Sequence, residues 1–182
     1  MGSPKALLEI ERKTFLETLL SRYAAVRVPV YVVLGAHSAE IRQQIDLSSV
    51  TVLINQDPSR GPLSSLLIAL EQASQSDAFI LHPVDHPIIS EETIQLLLST
   101  AKRLPHTILL PEFRGKRGHP ILIPSKYYPD LREAPLSMGA RWVVRSNRGA
   151  NHLVPVNDPG ILLDIDTREA YEQLVGHPRL YR

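Results

Sequence analysis

Residues 30–35, Val30-Tyr31-Val32-Val33-Leu34-Gly35, form a run without charged residues that stops at a glycine. A short run rich in β-branched residues predicts a strand buried on both faces of a sheet. Residues 50–54 and 78–81 repeat the pattern, and polar residues follow each run. The sequence therefore predicts several interior strands.

Helical signals separate these strands. Thr14 and Glu17 have the spacing of a capping box, which predicts a helix that starts after Thr14. Apolar residues at helical spacing predict three further helices, over residues 38–45, 61–75 and 90–104. Alternation of buried strands with helices is typical of an α/β protein. The predicted fold is Rossmann-like and three-layered, with a mostly parallel sheet and helices on both faces.

Shorter elements are predicted in the second half of the chain. The pattern indicates strands over residues 107–110, 120–123, 152–156 and 160–165, a helix over 138–145 and a last helix from Arg168. No linker, repeat or charge block divides the chain. We therefore expect residues 1–182 to form a single domain.

The composition excludes several classes of protein. The 182 residues carry 20 Lys and Arg against 19 Asp and Glu, and this balance excludes a strongly basic nucleic-acid arm. Cys is absent, which excludes disulfides, a thiolate nucleophile and cysteine-based metal sites. No apolar run is long enough to cross a bilayer. Residues 1–5 lack the apolar core of a signal peptide. We expect a soluble, cytoplasmic metabolic domain.

Acidic residues follow the predicted strands. Because ligands bind beyond the carboxyl ends of parallel strands, we expect Asp85, Asp164 and Asp166 to meet at one edge of the sheet. Carboxylates there can hold Mg²⁺. The alternatives are that Asp85 caps a turn or the following helix and that Asp166 caps the last helix.

Several basic and polar residues have two interpretations. Lys5, after Gly2-Ser3-Pro4, is either a phosphate ligand or a surface lysine. Gly61, Ser64 and Ser65 form either an anion-binding helix entry or an ordinary helix start. The basic loop at residues 114–119 either binds an anionic substrate or is a solvated hairpin. A further alternative is a transition-metal site made by His82, Asp85 and His86.

Six short motifs follow one another along the chain: Met1-Gly2-Ser3-Pro4-Lys5-Ala6-Leu7-Leu8; Val33-Leu34-Gly35; Asn55 with Gly61-Pro62-Leu63-Ser64-Ser65-Leu66; Val84-Asp85-His86-Pro87; Arg117-Gly118-His119-Pro120; and Asp164-Ile165-Asp166-Thr167. In this order they resemble the motifs of the MobA-like nucleotidyltransferases, and most of all the molybdenum cofactor cytidylyltransferases. The resemblance implies a fold like that of the nucleotide-diphospho-sugar transferases. It also implies transfer of NMP, CMP in this branch, from a nucleoside triphosphate to a phosphate acceptor such as molybdopterin.

The resemblance also implies roles for individual residues. Lys5 would contact the triphosphate, and Asp85 would bind Mg²⁺ with Asp164 or Asp166 as the second carboxylate. CTP is the expected nucleotide rather than GTP. The residues expected to bind the base and ribose are Asn55, Gly61, Ser64 and Ser65. The turn expected to shape the acceptor side is Gly118-His119-Pro120.

The start of the chain departs from the family pattern. Family members have a strand and a Gly-rich loop of the form L-A-A-G-x-S-x-R before the segment that corresponds to residues 1–8. The resemblance therefore implies a domain truncated at its N-terminus. One alternative function is a catalytically impaired module of the same fold that binds a nucleotide or cofactor. Another is a metal-dependent phosphohydrolase that uses His82, Asp85 and His86.

Overall fold

The computed structural model describes residues 3–177. Its strands are β1 (Glu9–Ile10), β2 (Lys13–Thr14), β3 (Tyr31–Leu34), β4 (Thr51–Ile54), β5 (Ala78–Leu81), β6 (Ile108–Phe113), β7 (Lys116–Arg117), β8 (Ile121–Pro124) and β9 (Asn151–Pro155). Its α-helices are α1 (Phe15–Ala25), α2 (Ser38–Gln44), α3 (Pro62–Gln72), α4 (Glu91–Arg103), α5 (Tyr128–Glu133), α6 (Ala140–Ser146) and α7 (Arg168–Gly176). Short 3₁₀ helices lie at Lys5–Leu7, Pro58–Arg60, Ser125–Tyr127, Arg148–Ala150 and Pro159–Leu162.

The strands form two main sheets and a small β1–β2 hairpin. In the first sheet β3 and β4 are parallel, with Tyr31 opposite Thr51. In the second, the order is β5-β8-β6-β7, and β9 pairs with β6. Strand β8 is antiparallel to β5 and β6, whereas β9 is parallel to β6. Strands β5, β6 and β9 therefore run in one direction and β8 is reversed. Within residues 3–177 no ladder joins the two sheets.

Helices cover both faces of the larger sheet. Successive strand residues point to opposite faces, so neighbours along one strand enter different cores. The core against α3, α5 and α6 contains Ile108, Leu110, Ile121 and Ile123, with Leu63, Leu131 and Val143 from the helices. The core against α4 contains Leu109, Leu122, Val154 and Leu97. This layered arrangement confirms the predicted α/β fold class.

The helix starts follow the predicted capping signals. The Thr14 hydroxyl accepts a hydrogen bond from the Glu17 backbone N–H at 3.1 Å, and the Glu17 carboxylate accepts one from the Thr14 N–H at 2.8 Å. Ser90 caps α4 in a similar way through the Thr93 N–H. The predicted capping box is confirmed. Within residues 3–177 no helix is both long and apolar enough to span a membrane.

Two parts of the second half differ from the prediction. Residues 160–165 are not a strand: Pro159–Leu162 is a 3₁₀ helix capped by the Asp158 carboxylate, which accepts a hydrogen bond from the Gly160 N–H at 3.0 Å. Pro159 starts this turn, where its fixed φ fits a helical conformation and its missing N–H costs nothing. Helix α5 was not predicted, because its six residues are too few to show helical periodicity.

Candidate active site

The Lys5 ammonium lies between two carboxylates from distant parts of the chain. Its Nζ donates hydrogen bonds to Asp85 Oδ2 at 3.1 Å and to Asp166 Oδ1. Burial alone would lower the pKa of Lys5, but the bonds to Asp166 and Asp85 outweigh it and the net shift is upward. Lys5 in turn lowers the pKa of Asp166. The predicted convergence of Asp85 with the Asp164–Asp166 segment is confirmed.

Buried apolar neighbours hold these side chains in place. Ala6, beside Lys5, is buried in the core that also contains Val32 and Leu34 of β3. The Ile165 N–H donates to the Asp85 carbonyl oxygen at 2.9 Å, which ties the last acidic segment to the turn after β5. Because the Ile165 side chain is fully buried, its two acidic neighbours face solvent. This alternation needs an extended backbone but no strand ladder.

A metal-capable group lies beside the lysine. Ligand atoms of Asp85, His86 and Asp164 all lie within 4.8 Å of one another. Asp85 Oδ1 and His86 Nδ1 are buried and have no hydrogen-bond partner among the described residues. Burial and the carboxylates of Asp166 and Asp85 raise the pKa of Asp164. A divalent cation fits this arrangement. It would give the unpaired Asp85 and His86 atoms a partner, and its charge would reduce the repulsion between the neighbouring carboxylates.

The geometry distinguishes among the predicted metal ligands. Asp85 and Asp164 belong to the metal-capable group, whereas Asp166 is hydrogen-bonded to Lys5. His86 joins the group although the carboxylate prediction did not include it. The sequence offered one sign of this role, the position of His86 directly after Asp85. His86 was considered as a ligand only in the transition-metal alternative.

His82 lies outside this group, so the structure does not support the alternative ligand set of His82, Asp85 and His86. Its Nδ1 lies 2.8 Å from the Tyr23 hydroxyl, and its Nε2 lies 2.8 Å from the His86 carbonyl oxygen. A carbonyl can only accept, so Nε2 carries the proton and Nδ1 accepts from Tyr23. Burial lowers the pKa of His82 to about 3, which keeps the ring neutral. His82 is a packing residue that links the turn after β5 to Tyr23 of α1.

His119 extends the site beyond His86. Its ring packs on His86 with a centroid separation of 4.5 Å, and its Nδ1 is buried without a partner among the described residues. Burial and the neighbouring His86 lower the pKa of His119 to about 4. The His119 N–H donates to the Ile161 carbonyl oxygen at 2.9 Å. The Gly118-His119-Pro120 turn is thus packed against the segment that leads to Asp164, and its His119–Pro120 peptide bond is cis.

The predicted base-binding residues form a separate hydrogen-bonded cluster. Asn55 is buried, and its Nδ2 donates to Ser64 Oγ at 2.8 Å and to Ser65 Oγ at 2.9 Å. Asn55 Oδ1 accepts from the Asp57 N–H, and Ser64 Oγ donates to the Gly61 carbonyl at 2.7 Å. Both Nδ2 hydrogens and the Oδ1 of Asn55 therefore have partners within this cluster. These hydrogen bonds hold the loop in one conformation. Contact of this loop with the nucleotide base and ribose stays a prediction.

The layered α/β fold brings Lys5 together with carboxylates from distant parts of the chain after strand β5. The chain belongs to the MobA-like NTP transferase domain family, which it matches over residues 1–152. It is therefore a nucleotidyltransferase of this family, as its motifs led us to expect.

Similar proteins agree with this assignment. The chain is 24% identical over 172 residues to the molybdenum cofactor cytidylyltransferase of Escherichia coli K12, covering 94% of this chain and 86% of the relative. It is 27% identical over 144 residues to the "probable molybdenum cofactor guanylyltransferase" of Bacillus cereus strain Q1, covering 76% and 70%. The relatives therefore include enzymes named for either nucleotide.

A solved structure shows the same fold. Rv0371c of Mycobacterium tuberculosis H37Rv, in complex with manganese, superposes with a TM-score of 0.84 at 24% identity. The superposition covers 96% of this chain and 93% of that chain.

Proposed function

We propose that this protein transfers CMP from CTP to a phosphate acceptor, such as molybdopterin, with release of pyrophosphate and with a divalent cation, Mg²⁺, at the Asp85 site. The observation that carries the proposal is the convergence of Lys5, Asp85, His86 and Asp164 on one point. The preference for CMP rests on the cytidylyltransferase relative, which matches 94% of this chain, against 76% for the guanylyltransferase.

The chemistry needs charge compensation more than it needs an activated nucleophile. A phosphate acceptor is already ionised at neutral pH, so no serine–histidine pair is required. When bound by Asp85, His86 and Asp164, a divalent cation would offset charge on the α-phosphate and on the acceptor.

The lysine supplies a second positive charge. The Lys5 ammonium is charged, because its pKa is raised, and it is the donor group that could bind the outgoing pyrophosphate. Asp166 holds it in position by accepting its hydrogen bond. The proposal therefore assigns Lys5 to the leaving group and assigns Asp166 to positioning Lys5.

His86 has a consequence for metal choice. Mg²⁺ prefers an all-oxygen shell, whereas imidazole suits later divalent metals. With His86 as the third ligand, we expect Mn²⁺ to bind more tightly than Mg²⁺, although the abundant Mg²⁺ can serve in the cell. Calorimetric titration of the purified protein with Mn²⁺ and with Mg²⁺ measures the two affinities directly.

Nucleotide binding tests the assignment of Asp85. We expect CTP to bind in the presence of Mg²⁺ or Mn²⁺, and Asp85→Asn to weaken this binding at least about tenfold, since one lost charge-assisted contact is worth that much. Asp77→Asn is the matched control, because Asp77 is exposed and precedes β5 whereas Asp85 follows it. Equal affinity of wild type and Asp85→Asn for CTP and metal would contradict the proposal.

Turnover tests the transfer itself. Pyrophosphate release is measured with each of the four nucleoside triphosphates and a pterin phosphate as acceptor. Release with CTP that depends on acceptor, metal and Asp85 supports transfer. Tight nucleotide binding without release under any of these conditions would favour the non-catalytic binding module. Faster release with GTP than with CTP would overturn the assigned base.

A further inference from the structure

Arginines line a cleft of about 520 Å³. Its lining residues are Arg117, Arg141, Val144, Arg145 and Arg148, and we call it the arginine cleft. A volume of this size is in the range of small-molecule sites. All four arginines are exposed.

Local structure explains why the arginines meet. Residues 141, 144, 145 and 148 recur at the spacing of one helix face, so α6 and the turn after it present three arginines in a row. The buried Val143 holds the other side of α6 in the core. Arg117 comes from strand β7 and lines the same cleft.

The charge in the cleft is uncompensated. Within residues 3–177, the ion pairs and side-chain hydrogen bonds leave all four guanidinium groups without a protein partner. Glu112, which lies opposite Arg117 in the β6–β7 ladder, instead accepts a hydrogen bond from the Gly115 N–H at 3.1 Å. Four like charges around one cavity repel one another, and an anion inside it removes that repulsion.

The guanidinium group selects the class of anion. Its planar array of donors matches phosphate oxygens in bidentate pairs. A neutral ligand would not reduce the repulsion among the four arginines. The positive charge is confined to a concave cleft in a chain of net charge +1, which favours a small anion over a nucleic acid.

One residue of the cleft, Arg117, adjoins the turn that carries His119. Only Gly118 separates Arg117 from His119, and Arg141 lies close enough to His119 for their charges to interact. The His119 ring contacts His86, which belongs to the metal-capable group. A molecule in the cleft therefore lies near His119, whose ring contacts the metal-capable group through His86.

We propose that the arginine cleft is a metal-independent binding site for an organic phosphate, and that it receives the acceptor. The assignment to the acceptor rests on the proposed function, whereas phosphate binding in the cleft does not. Arg141 and Arg145, one helical turn apart, are the central contacts, and Arg117 lines the cleft from β7.

Phenyl phosphate in the presence of EDTA is the probe, because the chelator excludes metal-dependent binding at Asp85. Affinity is measured by calorimetry at about 0.15 M salt, where exposed charges are largely screened beyond a Debye length. We expect wild type to bind, and the double variant Arg141→Gln, Arg145→Gln to bind at least about tenfold more weakly. Arg42→Gln, which changes an exposed arginine on α2, is the matched control and should bind like wild type.

Three outcomes would overturn the proposal: no phenyl phosphate binding by wild type, equal weakening by the double variant and by Arg42→Gln, or selective binding of an RNA oligonucleotide instead. Thermal unfolding of each variant confirms that the fold is retained, as expected for exposed side chains.

Further measurements separate this inference from the proposed function. Asp85→Asn should lose metal-dependent CTP binding and keep phenyl phosphate binding, since the two sites use different residues. Wild type should bind CTP with Mn²⁺ and phenyl phosphate together. Displacement of phenyl phosphate by CTP would show that the cleft belongs to the nucleotide, and would refute the acceptor assignment. Failure of CTP binding alone would refute the proposed function and leave the phosphate site in place.

Discussion

Replacement of Gly118 by alanine tests the close packing that holds His119 against the acidic segment. A Cβ atom at Gly118 would lie 2.1 Å from the Ile161 carbonyl oxygen, 2.6 Å from its carbonyl carbon and 2.8 Å from Ile161 Cγ1. Carbon–oxygen contacts normally begin near ~3.3 Å. The two segments must therefore separate by about 1 Å.

The cost of that separation follows from what it disrupts. Ile161 is fully buried, and overpacking in such a place costs about 1–3 kcal/mol. The hydrogen bond from the His119 N–H to the Ile161 carbonyl, 2.9 Å long, would be stretched or lost, at about 0.5–1.5 kcal/mol. We expect Gly118→Ala to lower the free energy of unfolding by about 2–4 kcal/mol, a large part of the ~5–15 kcal/mol of a typical domain.

Urea denaturation followed by circular dichroism measures this change. Gly149→Ala is the matched control: nothing lies within 4 Å of a Cβ there, and alanine in a helical turn is neutral or slightly stabilising. Because Ile161 is three residues from Asp164, Gly118→Ala should also weaken Mn²⁺ binding in calorimetry. A loss below about 1 kcal/mol, or equal effects at the two glycines, would refute the reasoning.

Three further predictions concern stability. Thr14→Ala removes the acceptor for the Glu17 N–H and should lower the free energy of unfolding by about 1 kcal/mol in urea denaturation, with Thr14→Ser close to wild type; equal losses in both would contradict the cap. The Ser90 N–H and the Thr93 hydroxyl both donate to the Asp158 carboxylate at 2.8 Å. Asp158→Ala removes this shared acceptor and should lower the free energy of unfolding by about 2–4 kcal/mol in the same assay. A decrease under about 1 kcal/mol would contradict this role. In EDTA, stability should fall as the pH decreases from about 6.5, because folding lowers the pKa of His82 to about 3 and that of His119 to about 4, whereas both are about 6.5 in the unfolded chain. The unfolded chain therefore binds more protons in that window. His82→Gln should reduce the slope of this pH dependence and leave the part due to His119, and an unchanged slope would contradict the assignment.

Much of the secondary structure was predictable because its signals are local. The apolar run at residues 30–34 became β3, and the pair Thr14 and Glu17 marked the start of α1. Burial on both faces leaves a continuous apolar run, and a cap needs only residues three positions apart. The strand predicted at residues 160–165 failed because the same apolar pattern suits a buried 3₁₀ turn, and the Asp158 cap decided between them.

The candidate site was only partly predictable. The position of Asp85 after a buried strand indicated a ligand at the sheet edge, and the family motifs named its partners. The sequence did not separate His82 from His86, which are four residues apart. Packing decided their roles, since the Tyr23 hydroxyl and the His86 carbonyl occupy both nitrogens of His82.

By itself, the sequence determined the class of fold, the helix starts and the acidic edge, because periodicity and capping depend on neighbours a few positions away. Tertiary structure alone decided that Asp164 lies beside Asp85 and His86, and that the Lys5 ammonium contacts Asp166. It also decided that Arg117 lines the same cleft as the arginines of α6. Lys5 and Asp166 are 161 positions apart, and only the packing of buried side chains such as Ala6 and Ile165 brings them together. Contacts over such separations depend on how whole elements fill the core, and no local pattern records that.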